Sequence, residues 1–508
     1  MGMDLQQLKA DARKGIADAK RLVDVVETLE AVTLVSDCRQ RQVRQLQAHV
    51  RQLEERLAQY ETPPAPPPEP GTDFSVETEQ QRRADKKRKK PKRSGRRPFS
   101  LKRDEVGDGD WQDVYPDNAR PEDCVFVRER VAWRLKGGRA VFSGYRLHRR
   151  RGEVGVAKVP GVLPRSEYGF EFVLLLAFLL FVTRVSLDKA CGLLHFFCGL
   201  PLTKSQANAL LDQLARHWEP EFDALCDLLV LANIVYLDET SWKIGKDGCS
   251  LWVFLTQLHT VLLFGCRKDA ATLDKMLPPD LFQGIGVSDD AAVYAERFRK
   301  GQKCWGHLLR KAIKLSLLYP EKPTYAEYLD SLLDIFRRGQ RAREDRRLSD
   351  AGRAKKVSGL HDALWDAAEP HMHIWDDPRT PDEKDFSNLV YEILRLIEAD
   401  ELFTFVRHPE VEPTNNGSER ELRDPAQDRD ANRTSKSAWG AKRRSILQSV
   451  LASLKKQLET FTLASVVEEA MRWLTTGHSR FRDQLAAARA ALDHLATTPT
   501  QPALERSG

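Results

Sequence analysis

The chain has 508 residues, 41% apolar and 30% charged, which is enough length for three or more folded units and an ordinary composition for a globular protein. Its longest apolar run, Phe172–Val182, falls short of the ~20 residues a membrane helix needs, and the first residues carry no apolar signal segment, so a cytoplasmic protein without membrane contact is expected. The net charge is +6, yet residues 82–103 hold 13 Lys or Arg against one Asp, so the remainder is net acidic and the concentrated basic strap implies a polyanionic partner, nucleic acid foremost.

Residues 1–62 are charged, poor in Gly and Pro, and helical in pattern. Val43, Leu46, Val50, Leu53, Leu57 and Tyr60 recur at alternating three- and four-residue spacing, a coiled-coil seam that pairs copies into a homodimer or higher oligomer, or else docks on the protein's own body. Residues 63–105 form a disordered linker, first the Pro-rich spacer PPAPPPEPG and then the basic strap. In the strap, Lys86, Lys87, Arg88, Lys89, Lys90, Lys92, Arg93, Arg96 and Arg97 are candidate DNA-binding residues. Residues 106–165 read as β-rich and basic. CVFVRERVAWRL, the turn KGGR and AVFSGYRLHRRR make a hairpin, with Arg134, Lys136, Arg139, Arg146 and Arg149–Arg151 available to a cationic face.

Residues 166–222 read as all-helical. Ser186 caps one helix, the stretch GLPL turns, and Thr203 with Gln206 forms a capping box that opens the next, a helix-turn-helix layout. Ser205 and Gln206 would then face DNA, although the same layout is common in purely structural bundles. Eight cysteines are scattered without a C-x-x-C pair, which argues against a zinc ribbon and against a secreted disulfide framework.

The segment NIVYLDETSW (233–242) is a short apolar strand that presents Asp238, and an unpaired carboxylate in a core strand is costly. Two β-rich runs follow, then the short helical stretch DAATLDKMLP, then GIGVSDDAAVY (284–294), a second strand ending at Asp289 and Asp290. A fifth strand running into a helix comes with QKCWGHLLRKAIKL (302–315). This order is the layout of a ribonuclease-H-like mixed sheet, in which the first and fourth strands are neighbours and their acids converge. Paired carboxylates suit Mg²⁺, and a third acid is expected on a later helix, where PTNNGSERELR offers Glu419. Asn416 and Glu419 also fit a plain helix start in which the Glu caps the backbone.

YLDETSW, VSDDAAVY followed by CWGHLLRK, and PTNNGSERELR resemble, in order and spacing, the insertion-sequence-66 family of DDE transposases over roughly residues 230–450. The resemblance implies Asp238, Asp289 (five residues before Tyr294) and Glu419 as the catalytic, metal-binding acids. They would hold two Mg²⁺ ions, with Mn²⁺ able to substitute. Trp305, His307, Arg310, Asn416, Arg420 and Arg423 fall on its motifs as supporting or DNA-contacting residues. It implies an α/β fold divided as 223–316 and 406–450 for the catalytic domain, 317–405 for a helical insertion, and 451–508 for C-terminal helices and tail. The implied activity is metal-dependent cleavage and strand transfer of the element's own DNA ends into target DNA, in the nucleoid, with accessory proteins of the same element as further partners. A catalytically inactive DNA-binding regulator and a nuclease on the same fold are the alternatives. The chain departs from many members in lacking a Cys-rich module before the catalytic domain, where only Cys124 stands.

Overall fold

The computed structural model describes residues 102–372 and 380–497. The expected coiled coil of residues 1–62, the Pro-rich spacer and the basic residues Lys86, Lys87, Arg88, Lys89, Lys90, Lys92, Arg93, Arg96 and Arg97 lie outside them.

The hairpin forms as its turn chemistry dictates. β2 (Cys124–Lys136) and β3 (Arg139–Arg150) pair antiparallel around Gly137 and Gly138, whose positive φ angles of 55° and 77° favour glycine. A short strand not foreseen from the sequence, β1 (Trp111–Val114), adds in parallel to β3. The alternation puts Arg146, Arg149 and Arg150 in solvent. Arg134 instead turns inward to Glu171 at 2.7 Å and to the Tyr145 hydroxyl at 3.0 Å, so it is a structural ion pair rather than part of a cationic face.

Helices α1 (Phe170–Phe181), α2 (Leu187–Cys198) and α3 (Lys204–Val230) follow. Ser186 accepts from the Lys189 amide, and Thr203 and Gln206 make the reciprocal capping box. α3 runs unbroken through Pro220 and past residue 222, where the sequence suggested a boundary. Its apolar face, including Leu214, Trp218 and Leu225, shares one core with strands of the second sheet, and this burial outweighs the amide hydrogen bond that Pro220 removes.

That second sheet has five strands in the order β6-β5-β4-β7-β8. They are β4 (Ile234–Ile244), β5 (Asp247–Leu255), β6 (Thr260–Cys266), β7 (Ile285–Ser288) and β8 (Lys300–Lys303), with α4 (Ala270–Met276) between β6 and β7. The first three are antiparallel and the last two run parallel to β4. One face, with Val235, Leu237, Trp252 and Phe254, packs on α1–α3, on α11 (Ala438–Gln457) and on α12 (Leu463–Thr476). α13 (Arg480–Thr497) closes the chain against the same body through Phe481 and Leu485.

The other face of the sheet is divided. Ile234, Tyr236, Ile285 and Val287 pack on α5 (Trp305–Leu318), α6 (Pro323–Glu344), α7 (Asp350–Ala368), α8 (Pro381–Glu398) and α9 (Thr404–Arg407). Trp242, Leu251 and Val253 pack instead on Leu422 of α10 (Asn416–Asp430). Asp238 lies on β4 between these two clusters.

Both edges of this sheet are covered. Ser445, Ser449 and Ser453, one turn apart on α11, accept from the amides of Phe264, Leu262 and Thr260 on β6 at 2.8–3.0 Å. At the far edge, Lys303 of β8 donates its amide to the Glu401 carbonyl at 2.8 Å. Among the described residues no helix is long and apolar enough to cross a membrane.

Candidate active site

The pairing register brings the first two acids together. Ile234 lies opposite Ile285, Val235 opposite Gly286 and Tyr236 opposite Val287. Continued two residues further, this register points Asp238 toward Asp289, which lies just past the end of β7 and is near enough for its charge to raise the Asp238 carboxyl. The adjacent Asp290 is turned away and ion-paired with Arg395 of α8. β4 does not end at its acid, because β5 continues to pair with it as far as Ile244. Asp238 is therefore fixed within a strand and not carried on a loose turn.

The third acid comes from α10. Its N-cap is Asn415, not Asn416, and Asn415 is completely buried. The Asn415 side-chain amide donates to the Leu237 carbonyl at 2.5 Å, its carbonyl oxygen accepts from the Ser418 hydroxyl at 2.7 Å, and its backbone amide donates to Cys304 Sγ at 3.2 Å. This one side chain docks the start of α10 on β4 beside Asp238. The Glu419 side chain does not cap the helix, since its Oε1 accepts from Arg310 at 2.6 Å and lies 3.8 Å from His307 Nε2.

The electrostatics report the crowding. Burial, and then the like charges of Asp289, Glu239 and Glu419, push the Asp238 carboxyl up to about 7, against the opposing hydrogen bond from the Glu239 amide. His307 is pushed down, by burial first and by Arg310 second. The donors are hard carboxylate oxygens on an accumulation of negative charge, a set that fits Mg²⁺ or Mn²⁺. Asp238, Asp289 and Glu419 do not form a tight ligand group in this side-chain arrangement. Among the described residues, the group whose ligand atoms all lie within 4.8 Å of one another is Cys304, His307 and Glu419.

The other expected residues divide by burial. Trp305 is completely buried, donates to the Leu402 carbonyl at 2.8 Å and packs on Phe336 and Phe403. It anchors α5 and is closed to DNA contact. Arg310 is half-exposed beside the site. Asn416, Arg420 and Arg423 are exposed on α10, and Asn416 and Arg420 line a groove of about 1170 Å³ with Tyr236, Lys300 and His408. Ser205 is exposed at the start of α3, whereas Gln206 Oε1 is engaged by the Thr203 amide and hydroxyl at 3.0 and 2.8 Å.

Besides Asn415, sequence reasoning missed a brace between the acid-bearing segments. Tyr294, fully buried after β7, donates its hydroxyl to Glu239, the neighbour of Asp238, and Lys268 pairs with the same carboxylate. Burial and that carboxylate hold the Tyr294 phenol well above its usual range. In the sequence Tyr294 marks only the spacing of Asp289. The signal that pointed to it was an aromatic at fixed distance from an acid.

The protein is an α/β body with acidic side chains on and just beyond two neighbouring parallel strands. The family model described as Transposase IS66 family matches residues 165–443, more than half of the chain, and the chain belongs to that family. A comparison with curated proteins found no match.

Proposed function

We propose that the protein is a DDE transposase that cuts the DNA ends of its own element and joins them to target DNA, using Asp238, Asp289 and Glu419 on a ribonuclease-H-like sheet. The parallel register of β4 and β7 supports this reading, since continued two residues it would bring Asp238 and Asp289 together. Two magnesium ions held by the three acids would supply the Lewis acidity that turns water, and then the freed 3′-hydroxyl, into a nucleophile at phosphorus.

The chain's own residues do the rest. The buried Asn415 side chain keeps α10 on β4, so that Glu419 can swing from Arg310 to the strand acids. Arg310, once released, is placed to take a DNA phosphate, and the exposed Arg420 and Arg423 extend the same cationic rim. The basic strap of residues 82–103 and the exposed arginines of the hairpin would add sequence-independent, salt-sensitive affinity. Ser205 at the start of α3 would lie toward DNA, and helical pairing through residues 1–62 would hold two copies on two ends. The site of action is then the cytoplasmic nucleoid, with accessory proteins of the element as further partners.

The test is strand transfer by purified protein with Mg²⁺ and labelled duplexes carrying the DNA that flanks the gene. Joined product should appear with the wild type and vanish in Asp238→Ala, Asp289→Asn and Glu419→Gln, while DNA binding persists in all four. Joining that survives in Asp289→Asn would sink the assignment. Binding without joining by the wild type would favour a regulator.

A further inference from the structure

The strongest unassigned feature is the group formed by Cys304, His307 and Glu419, whose ligand atoms all lie within 4.8 Å of one another. A tetrahedral zinc ion with bonds of roughly 2.0–2.3 Å sets its ligand atoms roughly 3.3–3.8 Å apart, so a small contraction completes the geometry. Two independent features of the fold build the group. Cys304 is the extended N-cap of α5 and His307 the third residue of that helix, so both side chains stand at its first turn. Cys304 Sγ also accepts the Asn415 amide, and this contact brings Glu419, four residues further on, to the same point.

Cys304 is 1% exposed, and the buried His307 Nδ1 has no hydrogen-bond partner, an orphan polar atom of the kind that metal coordination or a bound water satisfies. Thiolate and imidazole are softer donors than the strand acids and select zinc over magnesium.

We propose that Cys304, His307 and Glu419 bind a thiophilic divalent cation of the zinc class, and that its binding withholds Glu419 from Asp238 and Asp289. The first half stands on this geometry alone, and the second rests on the function proposed above. On binding, the Cys304 S–H bond breaks, its proton passes to solvent, and a metal–sulfur bond forms. Arg310, half-exposed, swings from Glu419 into water, and the fourth metal position is left to a water molecule.

Cobalt(II) titration of the chelator-stripped full chain tests the site, because a thiolate ligand gives cobalt a charge-transfer band. One equivalent per chain should produce the band in the wild type and in Asp238→Asn. Zinc should displace the cobalt, Cys304→Ser should lose the band, and His307→Ala should bind at least tenfold more weakly. A wild type without the band, or a band unchanged in Cys304→Ser, would overturn the proposal. Should Cys304→Ser fail to fold, His307→Ala decides by itself, since undiminished cobalt affinity in it is fatal to the site. With Mg²⁺ in excess, zinc at the concentration that displaces cobalt should lower wild-type cleavage at least tenfold, and unaffected cleavage would overturn the inhibitory half. A chain that binds cobalt through Cys304 yet never cleaves DNA would remove the transposase reading and leave the metal site standing.

Discussion

Replacing Asp238 with Asn should change how stability depends on pH. The carboxyl rises from its ordinary 3.8 to about 7, chiefly through burial. At ~1.36 kcal/mol per pKa unit, its full ionisation removes as much as about 4 kcal/mol of stability from the metal-free fold. Because the folded value exceeds the unfolded one, the native protein keeps a proton between these two pH values that the unfolded chain has already released. This contribution is fully present below pH 3.8 and is lost as pH rises through about 7. Between roughly pH 5 and 8 the wild type should therefore lose about 2–3 kcal/mol more than Asp238→Asn, as read by urea unfolding in the presence of chelator. Saturating Mg²⁺ at the alkaline end should restore the wild type, since a ligand that binds only the folded state stabilises it. Parallel stability curves for the two proteins would refute the view that Asp238 is held protonated by its surroundings.

Tyr294→Phe removes the hydroxyl that meets Glu239 and leaves a buried carboxylate with Lys268 alone, which should cost about 1–3 kcal/mol in urea unfolding. An unchanged midpoint would deny the brace between the acid-bearing segments. Ser449→Ala strips the acceptor from the Leu262 amide in the middle of the β6 edge and should cost a similar ~1–3 kcal/mol, whereas a neutral result would mean that water replaces the hydroxyl. Arg420→Ala and Arg423→Ala should each weaken binding to every duplex alike and lower the slope of log affinity against log salt by ~0.9. A loss confined to one DNA sequence would assign them to base reading instead.

Much of this arrangement is legible in the residues because local chemistry dictates it. The Gly-Gly turn and the Thr203–Gln206 capping box follow from short-range preferences, and the structure realises both. What could not be read depends on contacts between distant segments. Nothing local distinguishes Asn415 from Asn416 as the helix cap, because the choice is made by the Leu237 carbonyl, 178 residues away in sequence. Arg134 reads as a surface base in an alternating strand until Glu171 of the next element reaches it. Residue 222 reads as the end of the helical segment, but the core on both sides of Pro220 keeps α3 continuous past it. Trp305 sits within the motif that carries the family resemblance, and only its packing shows that it anchors a helix and is closed to DNA.

The serine rail on α11 has a consequence for assembly. An uncovered outer strand is a template on which a second chain can add its own strand, and crowding makes that addition more frequent. Here β6 offers its outward amides to Ser445, Ser449 and Ser453, and β8 is engaged by the segment that leads into α9. A second copy of the chain therefore finds neither edge of this five-stranded sheet open for strand addition.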